Sequence, residues 1–517
     1  MNIFSFSPFG YEGSLVTVEV DLRRGIPAVD VVGLADGAVK ESRERMRSAI
    51  RNSGFEFPLE RVLISLSPAD LKKEGAGFDL ALALAVLDAQ KKEDESYRQK
   101  TENDSILIMG ELELSGQLRG VRGVHAAAAT AVEAGICYCI VPMENEEEAK
   151  DVSGMKVYPA ENLVQSFMAL QHKEWFTEKQ EISSANIQEQ VLFPDFSPEQ
   201  EFSLVKGQEK LIRGLQIAAA GTHNLLAFGP PGCGKTLSIQ KFPALLPLLT
   251  EQEAQSVTRI HSIAGLTVSK KSIGKQGDFR MPHQTASIEG ICGGGTNCRP
   301  GELSLAHNGV LFLDEAAEFK TSVLQMLRVP LETGSITLSR AGRSTVYPAR
   351  FQLLMATNPC PCGNYGNPTK ICLCSMRSIE LYWKKFCGPL LDRIDIRIEV
   401  QAVPENLNTA KQPLSTQELR VQIATATKIQ RRRGKKNAFL SQQEIGEICV
   451  LDEKARNFLE NQSKKNEFSQ RAVAGCKKIA RTIADMKGKE KIEIEDLMEA
   501  VDFRKTPKPL EIFSAGG

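Results

Sequence analysis

Leu225 to Thr236 reads LLAFGPPGCGKT, and this stretch decides the fold. Leu225-Leu226-Ala227-Phe228 is a continuous apolar run bounded by turn residues, which predicts a buried parallel strand. Gly229, Pro230, Pro231, Gly232, Cys233 and Gly234 form a loop, and Lys235-Thr236 open a helix. Every fixed position of G-x-x-x-x-G-K-[ST] is filled, the pattern of a phosphate-binding P-loop. Glycines let backbone N–H groups converge on phosphate oxygens, and the helix N-terminus adds the positive end of its dipole. In this arrangement Lys235 reaches the β- and γ-phosphates of ATP and the Thr236 hydroxyl ligates Mg²⁺. A chance Gly/Pro turn would not bring a strand before it and a helix after it.

A P-loop alone binds nucleotide. Downstream, Gly309-Val310-Leu311-Phe312-Leu313-Asp314-Glu315 is an apolar strand ending in two carboxylates, which reads as a Walker B element. Asp314 is expected in the Mg²⁺ shell, and Glu315 is expected to orient and polarise the attacking water. A second apolar strand, Phe351 to Met355, closes on Asn358. In AAA+ motors an Asn there senses the γ-phosphate. Pro389-Leu390-Leu391-Asp392-Arg393-Ile394-Asp395 carries an arginine flanked by acids. Alone it would be an ordinary surface ion pair. Beside the other motifs, Arg393 is the candidate arginine finger, stabilising phosphoryl charge in a neighbouring subunit.

A chain of 517 residues needs two or three cores. Its 64 basic and 64 acidic residues cancel, so any nucleic-acid surface must be local. No apolar run approaches the roughly 20 residues that span a bilayer. MNIFSFSPFGYEGS lacks the basic region and apolar core of a signal peptide. A cytoplasmic location is therefore expected. There the twelve cysteines are thiols or metal ligands rather than disulfides.

Residues 1–170 alternate short strands and helices and predict an α+β unit. Strands are expected over 15–21, 28–33, 61–66 and 139–141, helices over 40–52, 79–90 and 124–134, and a hairpin over 106–121 around Ser115-Gly116. Residues 171–202 are polar and read as a linker, with the tail after Lys505 loose. The nucleotide-binding core spans 203–400. Residues 401–517 read as all-helical, over 416–433, 441–449, 452–462, 469–487 and 493–503.

These blocks together resemble the Mg chelatase-like AAA+ proteins of the ComM/YifB family, almost end to end. The likeness rests on VKGQEKLIRGLQIAAAGTHNLLAFGPPGCGKT (205–236), FRMPHQTASIEGICGGGTNCRPGELSLAHNGVLFLDE (279–315), ATNPCPCGNYG (356–366), GPLLDRIDIRIEV (388–400) and ARTIADM (480–486). GIPAVDVVGLADGAVKESRERMRSAI (25–50) and LSPADLKKEGAGFDLALALAVL (66–87) extend it to the N-terminus. The resemblance implies an α/β P-loop AAA+ core, a C-terminal helical lid and a homohexameric ring. It also implies ATP-driven branch migration on single-stranded or branched DNA, during recombination of DNA taken up in transformation. A protein-remodelling motor of the chelatase type is the alternative. Residues 1–170 resemble the Lon protease domain of the ribosomal-S5-like folds, and hence suggest an ATP-dependent protease. Proteolysis of that kind needs a serine and a lysine in hydrogen-bond reach. Lys73-Glu74-Gly75-Ala76-Gly77-Phe78 offers no serine, and Arg122-Gly123-Val124-His125 offers histidine for lysine. The unit is expected to be a non-proteolytic scaffold. The family likeness also makes Arg471 the lid-borne phosphate sensor, with Arg481 as substitute.

Cys360, Cys362, Cys372 and Cys374 stand as two C-x-C pairs around a Gly-rich spacer, a candidate tetrahedral Zn²⁺ site. Reduced thiols are the alternative there, and free thiols are expected at Cys292 and Cys298. The segment 334–347 reads as a hairpin between Walker B and Asn358, with Arg340 and Arg343 at its tip as DNA contacts. Arg431-Arg432-Arg433-Gly434-Lys435-Lys436 is a second basic cluster, equally readable as a solvated face.

Overall fold

The computed structural model describes residues 1–33, 37–69, 73, 75–91, 105–179, 190–266, 275–295, 298–340, 343–367, 370–401 and 414–505. The N-terminal sheet has seven strands, in the spatial order Val29–Val32, Arg61–Ser67, Ser14–Arg23, Asn2–Ser7, Ser105–Ile108, Tyr138–Pro142, Lys156–Ala160. Ser14–Arg23 runs antiparallel to both its neighbours, while the last four strands are mutually parallel. Helix Asp79–Lys91 is apolar nearly all round because nearly all of it is buried. Its first residue, Asp79, is a buried carboxylate satisfied by Arg45 Nε and Nη2 at 2.8 and 3.1 Å and by Leu112 N at 3.2 Å.

The hairpin expected over 106–121 is two things. Ser105–Ile108 enters the sheet beside Asn2–Ser7, and only Glu111–Leu112 and Leu118–Arg119 pair as a short ribbon. Gly110 makes the break: a Cβ there would press on Leu80 and Pro142 at 3.2–3.3 Å. The stretch 171–202 is also more than a connection. Thr177 pairs with Val157 at one end. At the other, Phe202 is buried, and the Arg420 guanidinium lies 5.0 and 4.6 Å from the rings of Phe193 and Phe196. Residues 180–189 between them, and the tail from 506, lie outside the described residues.

The second sheet is five parallel strands in the order Phe279–Arg280, Val310–Leu313, Gln352–Thr357, Leu225–Phe228, Ile396–Glu399. The three central strands are fully buried, as runs without alternation require. Helices Thr416–Arg433, Gln442–Ile448, Glu453–Lys465, Gln470–Met486 and Ile494–Arg504 follow. One continuous hydrophobic cluster joins them to the sheet and to helix Glu209–Gly221. Among the described residues no helix is long and apolar enough to cross a membrane.

The N-terminal unit meets the second sheet's unit at a loop. Arg259 Nε donates to the Tyr11 carbonyl at 3.1 Å, and its guanidinium lies 4.9 Å from the Tyr11 ring. Tyr11 N donates to Thr345 Oγ1 at 3.1 Å, and the Tyr11 and Tyr347 rings meet edge-on at 6.2 Å. Gly10 has φ +61°, and a Cβ there would fall 1.9 Å from Thr345 Oγ1, so the approach requires glycine.

Candidate active site

Strand order sets the site. Gln352–Thr357 lies between the P-loop strand and the Walker B strand, with Phe228 opposite Thr357 and Leu313 opposite Met355. Gly229, Asp314 and Asn358 therefore leave the sheet at the same carboxyl edge, where open α/β sheets bind ligands. Gly229 N donates to the Thr357 carbonyl at 3.2 Å, and a Cβ on Gly229 would fall 2.0 Å from the Val400 carbonyl. Buried Gln208 donates to the Cys233 carbonyl at 2.9 Å and holds the loop from beneath. Lys235 is buried at the start of helix Lys235–Gln240, and its Nζ donates to the Gly229 and Pro230 carbonyls at 2.7 and 2.8 Å. Burial lowers its pKa. An ammonium so desolvated gains strongly from an anion.

Thr236 Oγ1 donates to Asp314 Oδ1 at 3.0 Å. Two hard oxygen donors at that spacing fit Mg²⁺. Glu315 is exposed in the left-handed region at φ 48°, and its N–H donates to Asp314 Oδ1 at 3.0 Å. A non-glycine residue held there is strained, a condition that collects at functional sites. Gln284 Nε2 donates to Glu315 Oε2 at 3.2 Å, a partner that no motif in the sequence signalled.

Arg393 stands on a turn clamped from two directions. Asn224 Nδ2 donates to the Arg393 carbonyl at 2.9 Å. Arg504, from the last helix, is buried and donates to the carbonyls of Asp392, at 2.7 Å, and Ile394. His223 links Asp395 to Thr482 of the lid at 3.2 and 2.7 Å. The Arg393 side chain is 12% exposed and pairs with Glu332 Oε2, while Arg471 Nη2 donates to Glu332 Oε1 at 2.8 Å. The expected arginine finger and the expected lid-borne phosphate sensor thus converge on one carboxylate. Arg481 is elsewhere: it is buried, bound to Asp485 at 3.0 Å and to the carbonyls of Lys489 and Glu490.

With this geometry in view, relatives can be read. The family described as magnesium chelatase, subunit ChlI, matches residues 201–408. Models described as subunit ChlI of Mg-chelatase and its C-terminal part match 18–145 and 413–504. The competence protein ComM of Haemophilus influenzae is 39% identical over 99% of both chains. YifB of Escherichia coli is 39% identical over 96% of this chain and 95% of its own. The chain belongs to the Mg chelatase-like ComM/YifB family. The magnesium-chelatase 38 kDa subunit of Cereibacter sphaeroides is more distant, 26% identical over 31% of this chain and 52% of its own. Membership of this AAA+ family implies ATP hydrolysis with Mg²⁺.

In this ComM/YifB-family chain the four loop cysteines converge. Their sulfur atoms lie within 4.8 Å of one another, with Cys360–Cys362, Cys360–Cys372 and Cys362–Cys372 separations of 3.4, 3.7 and 3.6 Å. A tetrahedron with Zn–S of about 2.3 Å has edges of about 3.8 Å. Tyr365 N donates to Cys360 Sγ at 3.4 Å, a partner suited to a thiolate. The Asn364 N–H pulls the Cys362 thiol down to about 6, while desolvation pushes Cys372 up to about 12. Gly363 brings this loop against the site: a Cβ there would fall 2.8 Å from Pro231 and 3.9 Å from Asn358. Cys292 and Cys298 are both buried, with Cys292 Sγ 3.8 Å from Met326 Sδ.

Ser335–Arg340 and Arg343–Pro348 form the expected hairpin, and Arg340–Arg343 is its last pair before the turn. Arg340 Nη1 lies 3.6 Å from Glu289 Oε1. The Arg343 side chain and the turn residues lie outside the described residues. The second basic cluster is spent internally. Arg431 donates to the Leu248 carbonyl at 2.7 Å, Arg433 grips buried Asp485 at 2.8 Å twice, and Lys435 and Lys436 pair with Glu444 and Glu253 at 2.6 and 2.8 Å.

Proposed function

We propose that this chain is the subunit of a homohexameric ATP-driven motor that remodels single-stranded or branched DNA, as in branch migration. The hairpin carries this reading. It is inserted between the Walker B strand and the strand ending at Asn358, and Arg340 and Arg343 flank its turn. A full-length relative named a competence protein supports a DNA role. Gly229 to Gly234 cradle the phosphates, Lys235 grips the β- and γ-phosphates, and Thr236 and Asp314 hold Mg²⁺, which neutralises phosphate charge when bound. Glu315 takes a proton from the attacking water. Asn358 contacts the γ-phosphate, Arg393 stabilises its charge across the subunit boundary, and Arg471 is the lid-borne phosphate sensor. Cys360, Cys362, Cys372 and Cys374 hold one Zn²⁺ that orders the loop beside Pro231 and Asn358. Residues 1–170 act as an S5/Lon-like scaffold without proteolysis, since the stretch 73–78 offers no serine nucleophile and 122–125 offers His125 in place of a lysine base.

The deciding experiment is the ATPase rate alone, with single-stranded DNA and with a branched junction. Stimulation by either supports the reading. No stimulation, with capture of a protein partner instead, favours the protein-remodelling alternative that the distant chelatase subunit suggests.

A further inference from the structure

Arg393 and Arg471 come from different layers of the molecule. Arg393 follows helix Cys387–Leu391 at the edge of the sheet, and Arg471 is the second residue of lid helix Gln470–Met486. Each places an Nη2 on a different oxygen of Glu332. We propose that Glu332 is a positioning residue that holds these two arginines as a pair and gives them up to the triphosphate of a neighbouring subunit. This rests on the proposed roles of Arg393 as the finger acting across the boundary and of Arg471 as the lid-borne phosphate sensor.

Charge supports the exchange. One carboxylate faces two guanidiniums, which leaves a net positive site suited to a more highly charged anion. A terminal phosphate offers three acceptor oxygens and more charge than a carboxylate, and guanidinium forks match it well. Access supports it too. The Glu332 side chain is 53% exposed and that of Arg471 46%, so a second molecule can reach the pair. The Arg471–Glu332 pair, exposed on both sides, is weak and exchanges readily. Arg393 Nε, by contrast, is buried and meets no acceptor among the described residues, so this guanidinium has an unused donor. The guanidiniums, Arg393 first, hold the Glu332 carboxyl below its ordinary range, so the pair is charged at neutral pH.

Position gives the exchange a destination. Glu332 lies in the single turn Pro330–Thr333, capped by Gly334 at φ +69°, and Ser335 begins the hairpin strand. Thr333 Oγ1 lies 3.1 and 3.0 Å from the carbonyls of Val329 and Ser335 and its single proton can go to either, tying turn to strand. A carboxylate losing two partners therefore releases the base of the element proposed to touch DNA.

The test compares full-length wild type, Glu332→Gln, Glu332→Asp, Arg393→Ala and Glu332→Gln/Arg393→Ala. Glu332→Gln keeps the shape and removes the charge that competes with phosphate. Its DNA-free ATPase rate should rise about two- to fivefold, the range an exposed ion pair commands. The protein concentration for half-maximal rate should fall, the KM for ATP should stay, and stimulation by DNA should shrink. Glu332→Asp should behave as wild type, because the charge remains. The double variant should be as inactive as Arg393→Ala. An unchanged or lower rate in Glu332→Gln, with Arg393→Ala inactive, overturns the role of Glu332 alone. An equal rise in Glu332→Asp shows a packing effect and also overturns it. A wild-type rate in Arg393→Ala instead overturns the underlying reading of the arginines. Melting temperatures of all variants separate these outcomes from misfolding.

Discussion

Lys235 and Glu315 meet the nucleotide in different ways. Lys235 is desolvated and folded onto two loop carbonyls, so its value lies in holding phosphate. Glu315 is exposed, strained at φ 48° and tied to Gln284, so its value lies in aiming a carboxylate. Lys235→Ala should abolish binding of a fluorescent ATP analogue. Glu315→Gln should bind the analogue normally and lose phosphate release by roughly 10²–10⁴-fold, the contribution of a positioned base. Normal turnover in Glu315→Gln would remove the Walker B assignment. Both residues were legible in the sequence because strand, loop and helix are contiguous there, and local spacing dictates the geometry. Glu332, Gln284 and Arg504 were not legible. Glu332 meets its partners 61 and 139 residues away, and no spacing rule spans such a distance.

Among elements, the hairpin and the cysteine loop carry the sharpest expectations. Arg340 and Arg343 close the ladder next to the turn, and arginines there grip phosphates without reading bases. Arg340→Ala/Arg343→Ala should abolish DNA stimulation of the ATPase and flatten the salt dependence of DNA binding by about 0.7–0.9 per lost contact. Unchanged stimulation would move the DNA site off this hairpin. The internal pairing of Arg431, Arg433, Lys435 and Lys436 argues against that cluster as its replacement. For the cysteine loop, metal analysis of protein purified without chelators should find about one zinc per chain, and Cys360→Ser/Cys372→Ser should lose it. Four freely titrating thiols in the folded protein would refute the site. The hairpin was readable because the alternating arm Ile336-Thr337-Leu338-Ser339 runs into the small pair Ala341-Gly342, beyond which Thr345-Val346-Tyr347 suit a return strand. The one expected over 106–121 was not, because an apolar run such as Ile106-Leu107-Ile108 suits a central strand as well as a hairpin arm.

At the scale of the molecule, the C-terminal helices and the sheet share one core, and Arg504 of the last helix fixes the turn that presents Arg393. That turn therefore holds Arg393 without a flexible arm, as its proposed role in a neighbouring subunit would require. Arg393→Ala and Lys235→Ala should each be inactive alone, and mixing them should restore part of the ATPase. Some boundaries in a mixed ring then join an intact P-loop to an intact arginine. Full activity in a strictly monomeric preparation would exclude that arrangement. The remaining feature is the contact of Gly10 and Tyr11 with Thr345 and Tyr347. It grips the returning hairpin strand at its root, with no room for a side chain between. The hairpin and the N-terminal sheet are therefore mechanically joined: any displacement of the strand carrying Thr345 and Tyr347 would have to take the Gly10–Tyr11 loop with it or break this contact.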